Sequence, residues 1–433
     1  MKAQGNMFGS LTLTRARQMS SSAECYARLL FVMLIVLLPV WSYASDDNCL
    51  TCHKDWEDDT GPSHLITRDI HFQNGFSCSD CHGGDAALDD MDDVRKSTGY
   101  RGVPNHLQVP DFCALCHSDA AYMRSHNPSL PTDQLDKYKT SVHGQRLFGQ
   151  RDVKVANCVS CHSVHQIGDG KLPHSSTYPA NVPVTCARCH ADKQYMAEYN
   201  ISTSQFDDFK QSVHGIALLE RNDLGAPACN DCHSNHGAAP PGHESLAAVC
   251  GNCHVFQMEL YDKSPHKAAF AENDFPMCET CHSNHKIEKP QDSMVGTSDN
   301  AVCANCHSAD DGTRAFGVAD TLSSGLGRLV NARSQAKSVL DEAMAKGMLT
   351  TNEEFMLGEA DQALIQARTA VHAFGTVEFM TKAEIGLAKA DTVRVNSKAL
   401  IDDYYFRRKG LAIATLFITI VAIGLYLKIR RLG

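Results

Sequence analysis

A chain of 433 residues has room for two or three domains, and its formal charge of −10 excludes nucleic acid as a partner, because phosphate binding needs a basic face. Hydrophobic content is an ordinary 43%, but 19 cysteines and 22 histidines are not ordinary, and point to a disulfide scaffold, a metal-binding array or a covalently held cofactor. Between about residues 46 and 310 few apolar runs exceed four residues, so that stretch could hardly build a core from its own side chains.

The first predicted element is an export signal over residues 1–44. Leu29 to Trp41 form an apolar run of 13, short for a bilayer span and suited to a signal h-region. Arg28 precedes it, and Ser42-Tyr43-Ala44 places small residues for cleavage after Ala44. Met19 offers a later start that leaves a compact leader, and an uncleaved anchor is the alternative. Cys25 lies ahead of the run, outside any motif.

Residues 45–310 are organised by one motif. Cys-x-x-Cys-His occurs at Cys49/Cys52/His53, Cys78/Cys81/His82, Cys113/Cys116/His117, Cys158/Cys161/His162 and Cys186/Cys189/His190. It recurs at Cys229/Cys232/His233, Cys250/Cys253/His254, Cys278/Cys281/His282 and Cys303/Cys306/His307. Two thiols at this spacing form thioethers to the two vinyl groups of one haem, and the adjacent histidine reaches the iron as proximal ligand. Zinc knuckles also pair Cys-x-x-Cys units, but without a rule that histidine follows the second cysteine. The expectation is therefore nine covalently bound c-type haems. At about 29 residues per haem, each group is too thinly covered to be buried alone. The haems must pack on one another and supply the missing core.

Thirteen histidines remain for the distal positions. From residue 141 the chain repeats in two-haem units over 141–190, 212–254 and 264–307, after an irregular stretch over 45–140. Ser141-Val142-His143-Gly144 and Ser212-Val213-His214-Gly215 open the first two units, and Ser264-Pro265-His266 opens the third. Each unit's first haem motif continues as Cys-His-Ser-x-His, which adds His165, His236 and His285. Each unit thus holds two haem motifs and two further histidines, the supply for two bis-histidine irons. If the motif opens a short helix, residues i and i+3 share a face, so the added histidine reaches a neighbouring haem and interlocks the pair. The first three haems have four candidates: His64, His71, His106 and His126. His71 and His106 each stand seven residues before a haem cysteine. His174 and His243 lie in Pro-rich segments and read as exposed loop residues. No methionine is similarly placed in the repeats, so an all-histidine, low-potential chain is expected.

Beyond Asp311 the composition turns Ala-rich. Residues 311–408 read as a helical stalk: Leu322, Leu326, Leu329, Ala336, Leu340 and Ala343 recur at helical intervals. Thr351 with Glu353 and Glu354 reads as a second helix start, continued by Phe355, Ala363, Leu364, Ala367, Val371 and Phe374, and a third helix begins near Val377. The small-residue stripe suits either close helix packing or docking on a partner subunit. His372, alone among these residues, is left open as a haem ligand. Residues 409–428 read as a transmembrane helix, since Gly410 to Leu427 contains no charge over 18 residues, and 429–433 form a short cytoplasmic tail. Flanking charges balance, so the export signal sets the orientation.

The Cys-x-x-Cys-His array with its Ser-Val-His-Gly entries and Cys-His-Ser-x-His continuations resembles the doubled-motif multihaem cytochromes of anaerobically respiring bacteria. That resemblance covers residues 46–310 and implies a mainly α fold of short helices and loops around stacked haems. It also implies respiratory electron transfer in the periplasm from an inner-membrane, single-pass anchor. The expected role is an electron carrier between a quinol-oxidising membrane complex and periplasmic acceptors. The alternative is an enzyme, a reductase or oxidase of nitrite, hydroxylamine or sulfur oxyanions, which needs one haem with an open iron position.

Overall fold

The computed structural model describes residues 47–433 except Glu57 and residues 243–248, so the expected export signal, Cys25 and His243 lie outside it. Every regular element among the described residues is helical; there is no strand. The described residues divide into two compact units, one comprising residues 47–67 with His71–Val103, the other Arg68–Ile70 with Pro104–Gly433.

The smaller unit is made of short helices, including Asn48–Trp56, Cys78–His82 and Met91–Lys96. Local hydrogen bonds rather than a core set their ends. The Asp90 carboxylate accepts from the N–H groups of Asp92 and Asp93, and the Asp80 carboxylate accepts from the Ser77 N–H at 2.6 Å. Gly83, just past the motif helix, has φ +68°, and a Cβ there would lie 1.8 Å from the Gly99 carbonyl oxygen, so only glycine fits.

In the larger unit the repeat is visible as structure. Helix Gln134–Thr140 leads through Ser141 into the turn Val142–Gly144 and a π-helical turn Gln145–Gly149. Gln205–Gln211, Val213–Gly215 and Ile216–Glu220 repeat that sequence of elements. Leu147 and Leu218 occupy equivalent places and are wholly buried. The third unit departs from this: Pro265 starts one continuous helix, Pro265–Glu272.

Three long helices follow, Ala315–Ala345, Thr351–Ala370 and Thr376–Leu432. Two buried layers hold them, one around Leu322, Leu326, Leu329, Leu364 and Phe379, the other around Leu340, Leu357, Ala360, Ala390 and Val393. Two glycines permit the close approach. A Cβ on Gly325 would fall 2.5 Å from the Phe379 ring, and one on Gly386 would fall 2.7 Å from Leu329. The expected stripe of the second helix needs one correction. Phe355 is 69% exposed and Leu357 takes the buried place, because the face turned inward runs through Leu357, Ala360, Ala363, Leu364 and Ala367. The third helix continues without a break into its apolar end, where every residue from Tyr405 to Gly433 is exposed. That helix is long and apolar enough to cross a membrane, with a mean hydropathy of 2.3 over its most apolar 18 residues.

Candidate haem-binding sites

Most motifs sit on one turn of helix, which places the two cysteines and the histidine on adjacent parts of one surface. Cys78–His82, Cys158–His162 and Cys229–His233 are complete five-residue helices, while Val109–His117 and Val182–His190 carry the motif in their last turn. In these the histidine ends the helix rather than opening it. Ser163, Ser234 and Ser283, each following a proximal histidine, have φ of 68°, 66° and 62°, so the chain leaves in the left-handed conformation. The i, i+3 argument for His165, His236 and His285 therefore does not apply, since no helix joins the two histidines.

Several motif residues depart from the picture of a buried haem seat. Cys81, Cys161, Cys232, Cys253 and Cys306 are exposed, the other motif cysteines are only half-buried, and His53 and His254 are exposed. Local structure gives the reason in several of them. Cys52 and His53 lie inside Asn48–Trp56, a helix that runs on past the motif, so His53 has the neighbours of a surface helix and not those of a chain turning back on itself. Cys81 and Cys116 each fall one residue before the end of a short helix, and Cys253 lies in a turn beyond Gly251, outside any helix. A thioether is a covalent bond, so the second cysteine needs reach to a vinyl group and not burial. The assignment of the motif cysteines to haem therefore rests on motif spacing, with no support from burial.

Hydrogen bonds fix several imidazoles. His82 Nδ1 donates to the Gly102 carbonyl at 2.9 Å, and His233 Nδ1 donates to the Ala239 carbonyl at 3.1 Å. His307 Nδ1 lies 3.3 Å from the Asp311 carboxylate. A carbonyl can only accept, so the proton is on Nδ1 and Nε2 carries the lone pair that a metal requires.

The decisive geometry is a set of histidine pairs. His162 faces His236 with ring centres 6.1 Å apart, His190 faces His143 at 6.1 Å, and His233 faces His285 at 5.8 Å. His254 faces His214 at 6.2 Å, His282 faces His372 at 6.0 Å, and His307 faces His266 at 5.9 Å. An imidazole nitrogen bound to a metal lies about 2 Å from it, with the ring centre roughly 1 Å further, so two opposed axial imidazoles have centres about 6 Å apart. All six pairs fit one six-coordinate iron. Burial lowers the pKa of His143, His162, His214, His236, His266, His282 and His285, and so favours the neutral imidazole that a metal requires. Zinc held by protein alone takes four ligands; among the described residues no group of three or more His, Cys, Asp or Glu side chains converges.

The pairing is not confined to each unit. His143, His214 and His266 stand opposite the second proximal histidine of their own unit, whereas His236 and His285 stand opposite the first proximal histidine of the unit before. Backbone hydrogen bonds follow the same step. Val142 N–H donates to the Ala238 carbonyl, and Val213 N–H donates to the Ile287 carbonyl, so the entry of one unit binds the chain just past the Cys-His-Ser-x-His of the next. Ile70 N–H donates to the Ile167 carbonyl in the same way, while Asp69 accepts from Ile167 N–H at 2.8 Å. The repeat thus begins at Asp69–His71, within the stretch expected to be irregular. Sequence spacing hid it, because His71 precedes its haem motif by seven residues and His143 precedes its own by fifteen.

The entry turn explains its own sequence. Ser141 Oγ donates to the Tyr138 carbonyl at 2.6 Å and accepts from Gly144 N–H at 2.9 Å. Ser212 repeats this with Phe209 and Gly215. A Cβ on Gly144 or Gly215 would lie 1.9 Å from the Tyr138 or Phe209 carbonyl oxygen, so backbone packs directly on backbone. The serine and the glycine are there to aim the histidine between them.

The remaining candidates are placed differently. His64 carries a buried Nε2 with no hydrogen-bond partner, an orphan that suits a metal. His106 Nε2 donates to the Val155 carbonyl at 2.8 Å, and Asn157 donates back to the His106 carbonyl, which gives that side chain a structural tie. His126 stacks on Tyr122 at 4.2 Å with Nδ1 on the Tyr122 carbonyl, and His71 lies edge-on to Phe76. His165 has φ +58°, and His174 is exposed.

The cysteines of successive motifs also meet. None of the 18 described cysteines forms a disulfide. The thiols of Cys113 and Cys158, of Cys186 and Cys229, and of Cys250 and Cys278 are within hydrogen-bonding reach. Burial raises Cys161 to about 11, with Cys186 adding to it, and raises Cys281 to about 11, with Cys303 adding. In the smaller unit burial raises Cys78 to about 12, with Asp47 and Cys49 contributing. From Cys113 to Cys306, then, each motif lies beside the next in chain order.

A family model described as cytochrome c3 matches residues 70–191, and a model of the doubled CXXCH motif matches residues 266–312. No curated protein and no solved structure matches the chain. The two family matches, the motif helices and the opposed imidazoles together identify a multihaem c-type cytochrome with covalently bound haem, whose apolar C-terminal helix fits membrane anchoring.

Proposed function

We propose that the chain is a nonahaem electron carrier, exported by residues 1–44 and held in the inner membrane by residues 409–428, with its haem region on the periplasmic side. The observation that carries this reading is that every proximal histidine from His162 to His307 faces a second histidine at 5.8–6.2 Å. Closed coordination of that kind leaves no place for substrate, and so favours transfer over catalysis. Bound haem supplies reversible one-electron exchange at its iron. The protein's share is to hold neutral imidazoles in opposed pairs and to seat successive motifs side by side. All 18 motif cysteines, Cys52, Cys81, Cys116 and Cys253 among them, take their haem roles from spacing, as does His53. His71, His143, His165, His214, His236, His266 and His285 are assigned as distal ligands by position in the repeat, and His64 by its buried, unpartnered nitrogen. His165 would serve a haem on the N-terminal side of its own unit, as His236 and His285 do. The proposed donor is a quinol-oxidising membrane complex and the proposed acceptors are periplasmic redox proteins.

EPR during an anaerobic redox titration of the full-length membrane protein tests this. The expected result is low-spin iron throughout and no turnover of nitrite, hydroxylamine or sulfite. A high-spin haem accompanied by turnover would overturn it in favour of a reductase.

A further inference from the structure

We infer that the stalk is itself a haem-binding element: His372, between its second and third helices, is the distal ligand of the haem attached at Cys278/Cys281/His282. The inference rests on the bis-histidine reading above and extends it outside the haem motifs. Within the repeat, the Cys-His-Ser-x-His histidine of each unit faces the first proximal histidine of the unit before it. By that rule His282 needs a histidine from a fourth unit, and the chain has none. The docking bond is lost at the same point, because the residue equivalent to Val142 and Val213 is Pro265, which has no N–H to donate.

The stalk fills the place. Its second helix ends in a 3-10 turn, Val371–Ala373, followed by Phe374 in the left-handed conformation at φ +49°. That reversal sets the His372 ring against His282 at 6.0 Å and 19°, matching the near-parallel pairs His162–His236 at 14° and His233–His285 at 9°. His372 Nδ1 donates to the Thr369 carbonyl at 3.0 Å, so Nε2 carries the lone pair, as at His82 and His233. Phe374 covers His266 at 3.9 Å, which places the same turn over the partner of His307 as well. Arg368, one helical turn before His372, pairs bidentately with Asp292 at 2.8 Å for both contacts. The stalk therefore stands where a next repeat would stand and caps the last two haems.

The test is EPR and absorption spectroscopy of the full-length holoprotein as His372→Ala and His372→Met, beside His236→Ala and His285→Ala. The expected result is that His372→Ala converts one haem from low-spin to high-spin, that added imidazole restores it, and that His372→Met raises one midpoint potential. Imidazole rescue distinguishes a lost ligand from a misfolded stalk. If His372→Ala stays wholly low-spin while His236→Ala and His285→Ala each turn one haem high-spin, the stalk inference fails alone. If none of the three turns a haem high-spin, the bis-histidine reading fails with it.

Discussion

Single residues in this cytochrome act by where they aim a neighbour. Ser141 and Gly144 do nothing chemical; they turn the chain so that His143 meets His190. Gly215→Ala would press a Cβ into the Phe209 carbonyl oxygen, 1.9 Å away, and backbone cannot yield as a side chain can. We expect about 1–3 kcal/mol lost from overpacking, read by denaturant unfolding, together with a changed midpoint for the haem at His254. The pairing rule gives a sharper prediction. If His236 and His162 share one iron, His162→Ala/His236→Ala perturbs a single haem, whereas His233→Ala/His236→Ala perturbs two, counted by spin quantitation. The proximal set is proposed from sequence because the thioether spacing is covalent and local. That same spacing says nothing of burial, which is why His53 and His162 occupy the same motif position yet only His53 lies on the surface. The partners of His236 and His285 were not legible either, because chain proximity suggests their own unit and the fold carries them to the unit before.

At the level of elements, small residues set the distances between helices. Gly386 lies against Leu329 and Ala363. An alanine there gains about 1 kcal/mol of helix propensity and loses a similar amount to crowding, so Gly386→Ala should be close to neutral. Gly386→Leu has no such compensation and should cost about 1–3 kcal/mol, seen as a lower unfolding midpoint of the helical signal. The Arg368–Asp292 pair is a weaker hold. Its side chains are 48% and 35% exposed, so Asp292→Asn should cost about 1 kcal/mol or less, falling further as salt is added. The stalk helices were legible from their Leu and Ala spacing. Phe355 departs from that pattern because a large apolar side chain is not thereby a buried one, and the inward face of the second helix has room chiefly for alanine. The repeat starting at Asp69 escapes sequence reading for another reason: it is kept by one backbone bond, from Ile70 to Ile167, and by a lone carboxylate that the later units do not repeat.

Taken whole, the chain joins a region poor in apolar residues to helices that pack as an ordinary core. The first is expected to depend on its cofactors and the second to fold without them. Intact mass measurement of the purified protein should show nine haems, and Cys278→Ser/Cys281→Ser should remove one of them while the three-helix core stays folded by circular dichroism. Removal of residues 409–433 should release the protein from membranes with its spectrum unchanged, since every residue from Tyr405 onward is exposed. The unbroken third helix has a further consequence. At a rise of about 1.5 Å per residue, the stretch from Thr376 to Gly410 extends about 50 Å. On the proposed reading, with Gly410 at the bilayer surface, the helix would be a mast carrying the haems of the His282 and His307 motifs at its head. Electron tunnelling decays exponentially with distance, so a quinol dissolved in the lipid would have no direct path to those two haems, and a donor that served them would have to rise from the membrane to meet them.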